Sequence, residues 1–240
     1  MNPPAVLVTG ATSGIGTHIA RQLADQGWTV LVGARDADRG AEVAAQVGGR
    51  PLLLDVTDAD TIAAAAATVP ELDVLVNNAG ISLDTGAPIT DTDVAVFRRT
   101  YETNVFGVVA VTNAFLPALR RSARPRIVNI SSGTGSLTWS TGPNPQFDHH
   151  AAGTGSGAAY RSSKTALNAL TVFYAQALAD DGIKVNALAP GLRATNLNSL
   201  AATAGGDPAE AAAAAVRLAL LPDDAPTGQL FSWDGTVAPW

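Results

Sequence analysis

Short apolar runs alternate along the chain with longer stretches whose apolar residues recur every three to four positions. Ala5 to Thr9 is apolar and β-branched and stops at Gly10, which predicts a strand. Ile15 to Gln26 follows with Ile15, Ile19 and Leu23 on one helical face. Trp28 to Ala34 reads as the second strand, and Ala37 to Val47 as a helix closed by Gly48-Gly49. Further strands are predicted at Leu52 to Val56, Leu72 to Asn77, Arg126 to Ser131, Val185 to Ala189 and Gln229 to Ser232. Several of these runs are apolar throughout, as strands covered on both faces are. Strand–helix alternation with right-handed crossovers gives an α/β fold: one doubly wound, seven-stranded parallel sheet.

Two stretches interrupt this rhythm. Residues 133–157 are rich in Gly, Ser, Thr and Pro and carry Trp139, Phe147, His149 and His150. Asn196 to Asp207, within a second loop spanning 195–210, is small and polar. Both follow predicted strand C-termini, the edge at which open α/β sheets bind ligands. They read as an inserted loop near the active site and a substrate-binding loop; the plain alternative is tolerated surface insertion. No repeat or linker divides residues 1–240.

Composition narrows the chemistry. The chain has no Cys, which excludes disulfides, thiol nucleophiles and thiolate metal sites. Its formal charge of −6 is no footprint for nucleic acid or an anionic membrane. No apolar run approaches the roughly 18 residues of a spanning helix. No signal-peptide pattern opens the sequence, so a cytoplasmic protein is expected. Adjacent His149 and His150 lack a second ligand cluster, so no metal is expected. Trp139, Phe147 and Trp240 line an apolar pocket or simply pack.

Thr9-Gly10-Ala11-Thr12-Ser13-Gly14-Ile15-Gly16 lies between the first strand and the first helix. Its glycines permit a tight turn and close approach of a pyrophosphate, and the helix start offers free N–H groups. The spacing is G-x-x-x-G-x-G rather than G-x-G-x-x-G. An NAD site usually has an acid at the end of the second strand to bind the ribose 2′-OH. Ala34 holds that place, Arg35 follows it and Arg39 lies a turn further on. A guanidinium there suits a 2′-phosphate, so NADP(H) is expected over NAD(H). Asp36 and Asp38 nearby argue the other way. Asp55, followed by Val56, either accepts from the adenine amino group or caps the next helix, for which Asp58 is also suited.

Tyr160-Arg-Ser-Ser-Lys164 sets a phenol and an amine one helical turn apart. A free Tyr, with pKa about 10, is a poor proton shuttle at neutral pH. An ammonium about 4 Å from the phenolate contributes on the order of 4 kcal/mol at an effective dielectric of 20. That is about three pKa units, so the pair is expected to bring the phenol near neutrality for acid/base work. A cationic nicotinamide ring would add to this. Asn77-Asn78-Ala79-Gly80, Ser131-Ser132-Gly133 and Pro190-Gly191 with Thr195 bring small or polar residues to three further strand ends.

Taken together and in this order, these motifs resemble the short-chain dehydrogenase/reductase family over essentially the whole chain. The resemblance implies a seven-stranded Rossmann domain that binds a nicotinamide coenzyme and moves a hydride to or from a carbonyl or alcohol. It implies Tyr160 as acid/base, Lys164 as the residue that lowers its pKa and binds the nicotinamide ribose, and Ser132, with Ser131 as rival, positioning the substrate oxygen. Asn104, in Thr103-Asn104-Val-Phe-Gly107, matches the residue that holds a water joining Lys164 to solvent. Gly10, Thr12, Ser13, Gly14, Ile15, Gly16, Asn78, Ala79, Gly80, Pro190, Gly191 and Thr195 are implied in coenzyme binding, Thr195 at the carboxamide.

The chain departs from the usual pattern in two places. Ser132 and Tyr160 are 28 positions apart (160 − 132), farther than is typical, as in the family's monomeric carbonyl reductases. Ser13 stands where many NADP-binding members carry a basic residue. The Asp234-Gly235 to Pro239-Trp240 ending is also similar to that of the carbonyl reductases. A carbonyl-reductase-like enzyme acting on a small-molecule ketone, aldehyde or alcohol is the expectation. The alternative is a catalytically silent dinucleotide-binding sensor or scaffold. Both monomer and homo-oligomer stay open.

Overall fold

A computed structural model of the chain describes residues 3–146 and 155–240. Phe147, Asp148, His149 and His150 lie outside the described residues. The chain begins with β1 (Ala5–Thr9), α1 (Gly14–Ala24), β2 (Thr29–Ala34), α2 (Ala37–Val47), β3 (Arg50–Leu53), α3 (Ala59–Ala67) and β4 (Val74–Asn77). It continues through α4 (Val94–Tyr101), a π-helical turn (Glu102–Phe106), α5 (Gly107–Leu119) and β5 (Arg126–Ile130). After a 3₁₀ turn (Gly133–Gly135) come α6 (Leu137–Thr141), α7 (Ala158–Ala177), β6 (Lys184–Ala189), α8 (Ser199–Ala204), α9 (Pro208–Ala219), β7 (Leu230–Ser232) and β8 (Val237–Ala238).

The sheet order is β3-β2-β1-β4-β5-β6-β7-β8. All neighbours pair in parallel except β7 and β8. The order reverses at β1, so the crevice between β1 and β4 is the switch point where such sheets take ligands. Alternate side chains of each strand feed different cores. Val6 and Val8 join Ile19, Leu23, Val43 and Val216 on the side of α1, α2 and α9. Leu7 joins Leu75, Phe115, Leu119 and Ile127 on the side of α3, α5 and α7. Covering both faces is why the strand sequences are continuously apolar.

The structure differs from the sequence reading in four places. The third strand lies at Arg50–Leu53 rather than Leu52–Val56. Gly48, left-handed at φ 71°, caps α2 and turns the chain directly to the sheet edge, where Pro51 needs no inner hydrogen bond. Asp55 and Val56 therefore sit in the loop beyond the strand. An eighth, two-residue strand is added because the turn at Asp234-Gly235 (φ 93° at Gly235) folds Val237-Ala238 back onto Leu230-Phe231. Sequence reading assigns no helix between Asn77 and Arg126; α4, the π-turn and α5 supply the crossover that parallel β4 and β5 require. The stretch from 133 holds the 3₁₀ turn and α6, and the 195–210 loop contains α8 and the start of α9. Among the described residues no helix is long and apolar enough to cross a membrane.

Candidate active site

The site begins at the β1–α1 turn. Gly10 and Gly14 are left-handed, at φ 59° and 55°. A Cβ on Gly10 would stand 2.9 Å from the Ala79 Cα, and one on Gly16 would stand 2.4 Å from Asn78 Nδ2 and 2.7 Å from the Gly10 oxygen. The turn is held from below by Asn78, whose Nδ2 donates to the Thr9 and Gly10 oxygens (2.8 and 3.1 Å). Thr9 Oγ1 accepts from the amides of Asn78 and Ala79 (2.9 and 3.0 Å). Ser13 is the N-cap of α1 yet makes no side-chain cap bond. The first amides of α1 are thus left without a capping side chain, beside half-buried Thr12 and Ile15. Thr195 leans over this helix start, its Cγ2 3.0 Å from where a Gly14 Cβ would be. An uncapped helix start behind a cradle that any Cβ would fill fits an anionic dinucleotide.

At the end of β2, Ala34 is buried and Arg35 is exposed. Two of the neighbouring charges are otherwise engaged. Asp36 caps α2 by accepting from the Arg39 amide (2.9 Å), and Arg39 pairs with Glu42. Arg35 makes no ion pair among the described residues. Asp55 accepts from the Thr57 amide and hydroxyl through Oδ1 (2.9 and 2.8 Å). The capping of α3 falls to Asp58. The Val56 carbonyl lies 2.8 Å from where a Cβ on Gly107 would be, so this loop rests on the start of α5.

Beyond β5, the two serines part company. Ser131 Oγ is buried and donates to Asn168 of α7. Ser132 Oγ shares a 2.9 Å hydrogen bond with Thr134 Oγ1 and accepts from the Thr134 amide (3.2 Å); it also lies near enough to the Tyr160 phenol to pull its pKa down. Lys164, 4% exposed, donates from Nζ to the Ile130 oxygen at 2.8 Å and lies 5.6 Å from the Tyr160 ring centre. Gly135 lets the 3₁₀ turn press against α7: a Cβ there would stand 2.8 Å from the Lys164 carbonyl carbon.

The charges of this pair run opposite to the sequence expectation. Burial pushes the Tyr160 phenol up to about 12, although the Ser132 hydrogen bond pulls it down. Burial likewise pushes Lys164 down to about 8. Loss of solvent disfavours phenolate and ammonium alike. Adjacency in sequence signals the attraction of the two groups but not the cost of drying them.

Asn104 sits in the π-turn, a distortion often found at functional sites. Its Oδ1 accepts from the Ile81 amide, and its Nδ2 donates to the Ile81 oxygen and to Ser163 Oγ (2.9, 2.9 and 3.0 Å). Gly80 lies between the two polar groups: a Cβ on it would be 3.4 Å from Asn104 Oδ1 and 3.5 Å from Lys164 Nζ. Pro190-Gly191 ends β6, with Gly191 at φ 72° under the Trp233 ring.

Arg193 and Asp84 are not singled out by the sequence reading. Arg193 is buried, donates to the Pro190 oxygen (2.7 Å), pairs with Glu210 and stacks 4.5 Å from the Trp233 ring centre. It ties the 190–207 segment to α9 and to the end of β7. The signal available was a charge inside an otherwise small, neutral stretch. Among the described residues no cluster of His, Asp and Glu could hold a metal ion.

The pattern of the short chain dehydrogenase family matches residues 4–144 and 149–204. Galactitol 2-dehydrogenase (L-tagatose-forming) of Cereibacter sphaeroides is 35% identical, over 97% of this chain and 94% of its own. The (−)-isopiperitenone reductase of Mentha piperita is 31% identical over 97% of each chain. An NADPH-bound carbonyl reductase from chicken fatty liver superposes with a TM-score of 0.79 and 26% identity over the full length of both chains. With its switch-point cradle and its Ser, Tyr and Lys at neighbouring strand and helix ends, the chain belongs to the short-chain dehydrogenase/reductase family of NAD(P)-dependent oxidoreductases.

Proposed function

We propose that the protein reduces a ketone or aldehyde to the alcohol with NADPH. The observation that carries this reading is the convergence of Ser132, whose hydroxyl interacts with the Tyr160 phenol, and of the Lys164 amine one helical turn along, 5.6 Å from the Tyr160 ring centre. A dinucleotide sensor would need the cradle but not this arrangement. The NADPH-bound carbonyl reductase from chicken liver supports this reading, while galactitol 2-dehydrogenase is named for the reverse transfer of hydride from an alcohol.

The coenzyme, when bound, supplies the hydride to the carbonyl carbon. The protein's part is to hold and move one proton. Ser132 Oγ and the Tyr160 hydroxyl donate to the substrate oxygen, and Thr134 keeps the Ser132 hydroxyl oriented. As electrons move onto that oxygen, Tyr160 releases its proton to it. Lys164 then faces the phenolate and offsets its charge. Asn104, fixed to Ile81 and Ser163, lines the route by which Lys164 regains a proton from solvent. The test is NADPH absorbance followed with a panel of ketones and aldehydes. Turnover supports the reading; tight NADPH binding with none marks a sensor.

Preference for NADPH rests on Arg35, exposed and without an ion pair among the described residues, next to Ala34 where an acid would favour NADH. Arg35→Ala is expected to raise KM for NADPH about tenfold or more, the scale of a lost charge-assisted bond. KM for NADH should move less than twofold. Equal changes for both coenzymes would place the 2′-phosphate elsewhere.

A further inference from the structure

The catalytic helix α7 begins without a cap of its own. Its N-cap is Gly157, left-handed at φ 71° and lacking a side chain. The amides that a capping side chain normally satisfies are those two and three residues into the helix, here Ala159 and Tyr160. Both are satisfied from a distant part of the chain. Asp84, in the loop after β4, accepts from the Ala159 amide through Oδ1 (3.1 Å) and from the Tyr160 amide through Oδ2 (3.0 Å).

The other side of Tyr160 is held from the same loop. Ser163 Oγ donates to the Tyr160 carbonyl (2.6 Å) and accepts from Asn104 Nδ2 (3.0 Å). Asn104 in turn clasps Ile81 through both its amide and its carbonyl. The backbone N–H and C=O of Tyr160 are therefore both tethered to residues 81–84, the continuation of the Asn78–Gly80 segment that underlies the cradle.

We propose that Asp84 is a positioning residue of the reaction: it caps α7 from the β4 loop and so fixes Tyr160 against the coenzyme-bearing edge of the sheet. This rests on Tyr160 being the proton donor. Gly157 offers no side chain to cap α7, and the two amides a cap would satisfy are taken by Asp84 instead. The carboxylate also lies at the positive end of the helix dipole, where a negative charge is favoured.

The test compares wild type with Asp84→Ala and Asp84→Asn. Displacing a reacting group by about 1 Å can cost on the order of a hundredfold in rate. In Asp84→Ala, kcat should fall at least tenfold, while Kd for NADPH and KM for the carbonyl stay within about threefold. Asp84→Asn keeps one acceptor and should fall in between. Amide hydrogen exchange over residues 158–163 should quicken in Asp84→Ala without change in α1. This last readout needs no turnover, so it still decides the clasp if wild type reduces no carbonyl and the reductase reading fails. Unchanged exchange, or kcat within twofold of wild type, overturns the proposal. So does a loss of NADPH binding in step with kcat, or failure of both variants to fold, either of which would make Asp84 a general fold determinant.

Discussion

Tyr160→Phe should lower kcat for carbonyl reduction by about a thousandfold, the middle of the range that general acid catalysis contributes. In the proposed mechanism the phenol gives up its proton beside Ser132, and Phe removes that proton while keeping the ring. Its interaction with Ser132 is also lost, but Ser132 retains Thr134 as partner. The fold and the cradle should therefore be unaffected. The measurement is single-turnover NADPH oxidation alongside NADPH binding by fluorescence. A variant that binds NADPH as wild type does but turns over within tenfold of it would assign the proton to another group.

Lys164→Met should produce a nearly inactive enzyme that is more stable at pH 7. The stability sign follows from the proton balance. Lys164 titrates near 8 in the folded chain against an ordinary 10.5. Below pH 8 the ammonium is charged in both states, and its burial opposes folding. Between 8 and 10.5 the folded chain has released the proton while the unfolded chain retains it, so the burden is relieved as pH rises. Its size at pH 7 is at most about 3 kcal/mol at 1.36 kcal/mol per unit, partly offset by leaving the Ile130 oxygen without its partner. Each kcal/mol gained should raise Tm by roughly 2–4 °C for a chain of this size.

Activity should move the other way. As pH rises in wild type, the first proton to leave the pair is that of Lys164, near 8, since the phenol holds its own to about 12. The reductase rate should be level below that value and decline above it, with the apparent value belonging to the pair. Lys164→Met should abolish this limb and lower kcat at least a hundredfold. A retained limb near pH 8, or a drop in Tm, would remove Lys164 from this role.

The parts of the fold written in local pattern were legible in the sequence. β1, the α2 boundaries and the strand ends carrying Asn77, Ser132 and Pro190 depend on neighbours a few residues apart, and the 3.6-residue period is enough to pair Tyr160 with Lys164. Features set by remote contacts were not legible. The Asp84 clasp joins residues 75 and 76 positions apart, and nothing around Asp84 marks it. The third strand shifted because its edge position, not its composition, decides where pairing begins. The direction of the Tyr160 shift depends on how many atoms exclude water from the phenol, which spacing does not encode. That the Ser131 hydroxyl is taken up by Asn168 of α7 is likewise a remote contact that spacing does not show.

The two-residue β8 has a bearing on self-association. Without it the sheet would finish at Leu230–Ser232, a wholly buried strand whose open backbone could template pairing with another molecule. β8 occupies that ladder with a partner too brief to propagate it. Pro239 follows and offers no N–H, and the Trp240 carbonyl is taken by the Thr138 amide at 3.0 Å. The rim is thereby closed to strand recruitment by three ordinary means: shortness, an imino acid and a cross-link from α6.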